Sequence, residues 1–503
     1  MRRRVTLRSD FRGRKLASRF SEFGNRSLGR VSALISAKFE PCSLGSRRDS
    51  RSARTVEPDG VIRPPAERAC MNTLCLAGGR VLRPDCTVAA ADVVVDSDAG
   101  RVRAVGEGIA ADYDADETLD AEGCLVTPGL VNAHTHAAMT LLRGYADDKP
   151  LDSWLREDIW PAEAALEPED VRAGTELGIL EMIRSGTTAF ADMYFEVPEV
   201  VAAVERSGVR ARLGHGVVTV AKDDEDAAAD VEESLAVARE FDGAADDRVR
   251  TAFMPHSLTT VGEAFLREAT AEAREDGIPL HFHANETTDE VDPIVEERDQ
   301  RPLAYADELG MLTDEDFVAH GVHVTDDEIA LLAERGTGVI HCPASNMKLA
   351  SGIAPVQRML DAGVTVGVGT DGAASNNDLD LFDELRDAAM LGKLGAEDAA
   401  AVPAEAAVTA ATAGSADAVG LPGGRIEEGA AADFAVVDLD APHLAPAHDE
   451  VSHLAYAVRG SDVRHTVCDG QVLMRDREVL TLDEERVVET ARERAASLAE
   501  RAE

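Results

Sequence analysis

The sequence predicts an α/β fold, a (β/α)8 TIM-like barrel with a small β-sandwich domain formed by the N- and C-terminal segments, and three observations carry that prediction. Eight apolar, strand-length segments alternate with helical ones over nearly 290 of the 503 residues. Clusters of short strand-like segments flank that run on both sides. Histidines track the downstream ends of the apolar segments: nine of the thirteen lie between His134 and His341. Alternating strands and helices build a parallel sheet covered by helices, and eight such units close into a barrel whose functional groups gather where the strands end.

In chain order, residues 1–70 read differently from the rest. They hold 17 Lys+Arg against 7 Asp+Glu, with no helical or strand period and no apolar core of a secretory signal. This segment is expected to be a basic, disordered extension, or translated sequence ahead of a start at Met71. From Met71 come short strands with Gly and Asp turns: Thr73–Ala77, Arg80–Leu82, Asp92–Asp96, Arg101–Gly106 and Thr118–Ala121. Similar strands return at Asp433–Asp438, Asp462–Cys468 and Gln471–Arg475, so residues 71–127 and 417–480 are assigned to one discontinuous β-sandwich domain. Residues 128–416 form the barrel, and 481–503 a C-terminal helix over Glu484–Arg501, charged and amphipathic.

The eight barrel strands are expected at Leu130–His134, Thr187–Met193, Arg210–Gly216, Val249–His256, Pro279–His283, Asp316–His320, Thr337–His341 and Thr365–Gly369. Helical stretches between them include Pro168–Ser185, Val231–Phe241, Val261–Asp276, Asp326–Arg335 and Pro355–Asp361. Trp154 and Trp160, in the loop after the first strand, either cover a ligand or belong to the core.

Composition narrows the function classes. Subtracting the first 70 residues leaves 34 basic and 87 acidic residues, a net of −53, in 71–503. Such a body repels nucleic acid and anionic membranes, and neither is an expected partner. Acid-rich, lysine-poor surfaces look like those of halophilic proteins, where salt screens self-repulsion. Seven scattered cysteines, never in Cys-x-x-Cys spacing, argue against a disulfide framework or thiolate zinc site and suit a reducing cytoplasm.

The strand ends carry the chemistry. Pro128–His136 is an apolar run closing on His134-Thr135-His136, and alternation in a strand aims both rings to one side. Two imidazoles so placed can grip a metal, although two polar residues at a strand end look the same. His283 ends a later strand and Asp371 follows the last one, in Gly369-Thr370-Asp371-Gly372. Three imidazoles and a carboxylate suit a borderline divalent ion such as Zn²⁺. His281 shares a face with His283 and is an alternative ligand; His283 is favoured because Glu286 follows at short range. Glu286 could reach the reacting atoms, or be a loop carboxylate in solvent. His320 is a candidate for orienting the nucleophile. The fourth strand lacks the lysine that, carboxylated, bridges two metals in binuclear barrels of this type, so one metal is expected.

These residues lie in segments that resemble a known family over roughly Met71–Arg477. Pro128–Gly144 (PGLVNAHTHAAMTLLRG), Gly186–Phe195 (GTTAFADMYF), His283–Thr287 (HANET), Ala319–His323 (AHGVH) and Pro343–Asn377 (containing PASNMKLASGIAPVQRML and GTDGAASNN) are similar to the 5-methylthioadenosine/S-adenosylhomocysteine deaminases of the amidohydrolase superfamily. The last segment is the most specific. The resemblance implies metal ligands at His134, His136, His283 and Asp371, a proton-shuttling Glu286, and a polarising His320. It also implies ribose contacts at Glu163 and His256, with Glu286 and Asp371 facing the base. Without it, Glu163 reads as an ordinary surface acid. The implied activity is hydrolytic deamination of 5′-substituted adenosines (5′-methylthioadenosine, S-adenosylhomocysteine, 5′-deoxyadenosine or adenosine). The alternative is a related enzyme acting on a free heteroaromatic base, of the guanine or cytosine deaminase type. Relatives often form dimers or tetramers, which makes a homo-oligomer an expectation. One departure stands out: His215 and Asp230 occupy the places of arginines that pair the amino-acid carboxylate of S-adenosylhomocysteine. Arg143 and Arg212 are substitute candidates.

Overall fold

The computed structural model describes residues 72–502; the basic extension at 1–70 lies outside them. All eight segments expected to line a barrel form parallel strands, in two arcs. One arc runs in the order Val249–Thr251, Arg210–Val217, Thr187–Tyr194, Leu130–His136, Asp371–Gly372, with Met254–Pro255 also paired to Arg210–Val217. The other runs His281–Ala284, Phe317–His320, Gly338–His341, Val366–Val368. Two parallel bridges, Phe253 with Leu280 and Ser257 with His283, connect them.

The segment expected as one strand over Val249–His256 is split. The Ala252 N–H donates to Leu213 O at 3.0 Å, whereas the next N–H, of Phe253, donates to Pro279 O at 2.9 Å. That is the ordinary alternation of a strand flanked on both sides, and the two pieces, Val249–Thr251 and Met254–Pro255, keep one register on Arg210–Val217, with Thr251 opposite Leu213 and Met254 opposite Gly216. The helix expected from Val231 begins at Asp224. Asp223 caps it, its carboxylate accepting from the Glu225 and Asp226 N–H groups at 3.1 and 3.0 Å, and the acidic first turn complements the helix dipole. The helix Asp326–Arg335 has the expected bounds, with a capping box between Thr325 and Glu328 at its start.

The two chain ends meet in one sheet. Phe434–Asp438 runs antiparallel to Cys124–Pro128, from Phe434 opposite Pro128 to Asp438 opposite Cys124. That seven-stranded sheet adds Val463–Cys468, Gln471–Arg475 and Glu478–Val479 on one side, and Arg80–Leu82 and Val88–Ala90 on the other. A second sheet is ordered Arg101–Gly106, Asp92–Asp96, Thr73–Ala77, Glu117–Asp120. Leu74, Val93 and Leu119 from this sheet share one apolar cluster with Val126, Phe434 and Val467 from the other. The strands at Val88–Ala90 and Cys124–Pro128 are not among those expected. The second reads as the approach to the first barrel strand, because one apolar run covers both.

The C-terminal helix, Glu484–Ala502, buries Val487, Ala491 and Leu498 on one face. Its arginines hold Asp170, a fully buried acid of the helix Pro168–Arg184. Arg494 Nε donates to Asp170 Oδ1 at 2.6 Å, and Arg501 pairs with the other oxygen. Trp154 belongs to the core, its indole N–H donating to Ala146 O at 3.0 Å. Among the described residues the five cysteines are free, and no helix is long and apolar enough to cross a membrane.

Candidate active site

His134 and His136 end the Leu130–His136 strand, where the pairing register shifts between Asn132 and Thr135. Such irregularities re-aim side chains beside functional sites. His283 comes from the first strand of the other arc, and Asp371 pairs opposite Thr135. The nearby Gly369 is required by close approach: a Cβ there would lie 2.7 Å from both the N and the O of His134.

The structure brings these four together. One ligand atom from each of His134, His136, His283 and Asp371 lies within 4.8 Å of the others. Asp371 Oδ1 stands 3.4 Å from His134 Nε2 and 3.2 Å from His136 Nε2. Its Oδ2 accepts from Ser345 Oγ at 2.6 Å and Ser375 Oγ at 2.9 Å. The Nδ1 of His136 lies 2.6 Å from Met193 O, and that of His283 lies 2.7 Å from His256 O. These contacts leave each Nε2 aimed inward. The Nε2 of His134 is buried with no hydrogen-bond partner. An orphaned buried imidazole nitrogen facing a carboxylate and two more imidazoles is the donor set a divalent cation satisfies. Asp371 (φ 61°) and His320 (φ 74°) are left-handed.

Glu286 and His320 face the same centre. His320 Nε2 is 3.8 Å from Glu286 Oε2, and its Nδ1 is 3.0 Å from Asn346 Oδ1. Ser351 Oγ donates to Glu286 Oε1 at 3.1 Å. Glu286 is buried rather than a solvent-exposed loop acid, and burial raises its carboxyl above the usual range, partly offset by the His320 ring. The His256 ring lies 4.6 Å from that of His283, with its Nδ1 3.0 Å from Thr260 Oγ1. Glu163 ends the short helix Trp160–Glu163 and is half-buried. Burial pushes its carboxyl up to about 7, against the pull of the Tyr194 hydroxyl and the His136 ring. The Tyr194 ring is 6.3 Å from the His136 ring, which ties Glu163 to the centre.

His281 is not among the four converging groups: its Nε2 lies 2.8 Å from His134 Nδ1, behind that ring. Arg143 and Arg212, the substitute carboxylate forks, are engaged elsewhere. Arg143 pairs with Glu181 and donates to Asn377 O, and Arg212 donates to Thr251 O and Gly420 O. His215 instead pairs with Asp230 at 3.1 Å, and Asp230 also takes Lys222 at 2.8 Å. Reading strand ends alone misses Ser345, Asn346, Ser351 and Ser375. All four lie in the Pro343–Asn377 segment, whose polar density was the available signal.

Residues 125–473 match the model of the amidohydrolase family. A 5-methylthioadenosine/S-adenosylhomocysteine deaminase of Natronomonas pharaonis is 68% identical over 433 residues, 86% of this chain and 100% of the relative. A 5′-deoxyadenosine deaminase of Methanosarcina acetivorans is 46% identical over 403 residues, 80% of this chain and 93% of the relative. Among solved structures, an adenosine deaminase from Xanthomonas campestris with bound zinc superposes with a TM-score of 0.80 at 38% identity, covering 85% of this chain and 98% of that one. A zinc-complexed atrazine chlorohydrolase from Arthrobacter aurescens has a TM-score of 0.77 at 26% identity, covering 84% and 100%.

Proposed function

The chain belongs to the amidohydrolase family, and we propose that it is an aminohydrolase that deaminates 5′-substituted adenosines to the inosine derivative and ammonia. The observation that carries this reading is the convergence of buried His134, His283 and Asp371 with partly buried His136, and Glu286 and His320 beside them. The names of the relatives supply the substrate class. In the same reading the two parallel arcs close into a (β/α)8 barrel, and the two outer sheets form the sandwich domain built from both chain ends. The enzyme works in the cytoplasm, as a homo-oligomer.

His134, His136, His283 and Asp371 would hold one divalent ion, which we take to be zinc. Such an ion supplies Lewis-acid chemistry, lowering the pKa of a water from about 15.7 toward about 7. Asp371 accepts the proton of the attacking water, its Oδ2 steadied by Ser345 and Ser375. His320, held by Asn346, orients the attack on C6 of the adenine ring. Glu286, whose carboxyl burial raises above the usual range, delivers a proton to the ring nitrogen beside C6. The C6–N bond then breaks, the nitrogen leaving as ammonia with the proton that Asp371 took from water, and the C6 hydroxyl returns its proton to Glu286 as the carbonyl forms. Glu163 accepts both ribose hydroxyls, a charge-assisted contact, and His256 borders the sugar.

The neighbours of His215 shape the preference at the 5′ end. Asp230 is already paired there, and no free guanidinium fork among the described residues meets a carboxylate at that place. A neutral 5′ group is therefore favoured over an amino-acid tail. A panel of adenosines at high salt, followed by loss of adenine absorbance, tests this. 5′-Methylthioadenosine should show a higher kcat/KM than S-adenosylhomocysteine, and free adenine and guanine should be inert. Turnover of the free bases alone would replace this reading with the free-base alternative.

A further inference from the structure

The tautomers behind the metal ligands follow from what each partner can do. Opposite His136 and His283 stand backbone carbonyls, of Met193 and His256, which only accept; each Nδ1 must therefore donate, and each Nε2 keeps its lone pair. His134 is different. Its Nδ1 faces a side chain, His281 Nε2, at 2.8 Å. His281 Nδ1 in turn lies 2.9 Å from Phe317 O. A carbonyl cannot donate, so His281 Nδ1 carries the hydrogen. In an uncharged imidazole this leaves His281 Nε2 able only to accept. His134 Nδ1 must then donate to it, and His134 Nε2 is left with a free lone pair. That is the atom with no hydrogen-bond partner, 3.4 Å from Asp371 Oδ1.

We propose that His281 is a positioning residue: through the relay Phe317 O, His281, His134, it fixes the tautomer and plane of His134 for metal binding. The inference rests on the metal site of the proposed function. The geometry of His281 is itself constrained. Its side chain is fully buried, and its ring stacks on that of Phe317 with centroids 4.1 Å apart and planes 14° from parallel. Both of its nitrogens are used, one on each side of the relay. Among the three histidine ligands, His134 alone has its tautomer set by a replaceable group, so a single substitution interrogates it.

Removing the hydrogen-bond partner behind a metal-bound histidine lowers metal affinity by about 10–100-fold. His281→Phe keeps a stacked ring and removes the acceptor. His281→Gln restores an acceptor in its amide oxygen. Zinc affinity measured by chelator competition should fall by about 10–100-fold in the Phe variant and recover substantially in the Gln variant. In the zinc-loaded wild-type protein, ¹⁵N shifts of labelled histidines should report hydrogen on Nδ1 of both His134 and His281. Wild-type affinity in His281→Phe, or a His134 proton on Nε2, overturns the relay while leaving the metal site intact. Failure of the wild-type protein to bind any divalent ion at this centre overturns the proposed function itself. The wild-type ¹⁵N spectrum decides the matter even where a variant does not fold.

Discussion

Glu163 shows how much of a residue's role depends on its surroundings. In the sequence it is one acid among many; in the fold it is half-buried beside Tyr194, with its carboxyl pushed up to about 7 by burial. A carboxylate clamp on two hydroxyls requires the ionised form. The KM for 5′-methylthioadenosine should therefore fall as pH rises from about 6 to about 8, and Glu163→Gln should have a higher KM with little pH dependence in that window. Steady-state kinetics across pH check this; a pH-independent wild-type KM would remove Glu163 from the clamp. The same shift acts on stability with the opposite sense. A carboxyl whose folded pKa is raised binds protons more tightly when folded, so its contribution is present below the unfolded value and is lost as pH rises toward about 7. The groups at the ends of strands, His134, His136, His283, Asp371 and Glu286, were legible in the sequence because strand ends converge on one face of such a fold. Their supports were not. Ser345 meets Asp371 across 26 residues, and His281 meets His134 across 147, contacts that no local period announces.

At the scale of elements, the apolar runs located the eight expected parallel strands but not how each one ends, nor the short strand Asp371–Gly372. Val249–His256 reads as one apolar run, and its two strand pieces keep one register on Arg210–Val217 across Ala252 and Phe253, which fall outside both. The helix start at Asp224 was hidden because its first turn is acidic rather than apolar, while the cap at Asp223 was visible in kind. The C-terminal helix depends on more than its apolar face. Asp170 is fully buried and takes Arg494 and Arg501 at once. Asp170→Ala should destabilise by about 3 kcal/mol, the low end for a broken buried pair, because both guanidinium groups keep some solvent access. Chemical denaturation should show a lower midpoint with an unchanged slope; an unchanged midpoint would make the helix contact purely apolar.

At the scale of the whole molecule, charge dominates. The net of −53 over residues 71–503 produces self-repulsion that salt screens, since the Debye length falls from about 10 Å at 0.1 M to about 3 Å at 1 M. The melting temperature should rise between about 0.1 M and 1 M KCl; a flat or falling profile would show that surface acids are not what limits stability at low salt. Against that background the functional centre is a small, buried exception. It gathers histidines and carboxylates with defined partners, and the central claim is that it delivers the oxygen of water to C6 of an adenosine. The most direct measurement runs the zinc-loaded enzyme on 5′-methylthioadenosine in ¹⁸O water and weighs the product. The account predicts ammonia in equal amount and an inosine derivative carrying one ¹⁸O on its base. Release of free adenine, or a product without the heavy oxygen, would contradict it.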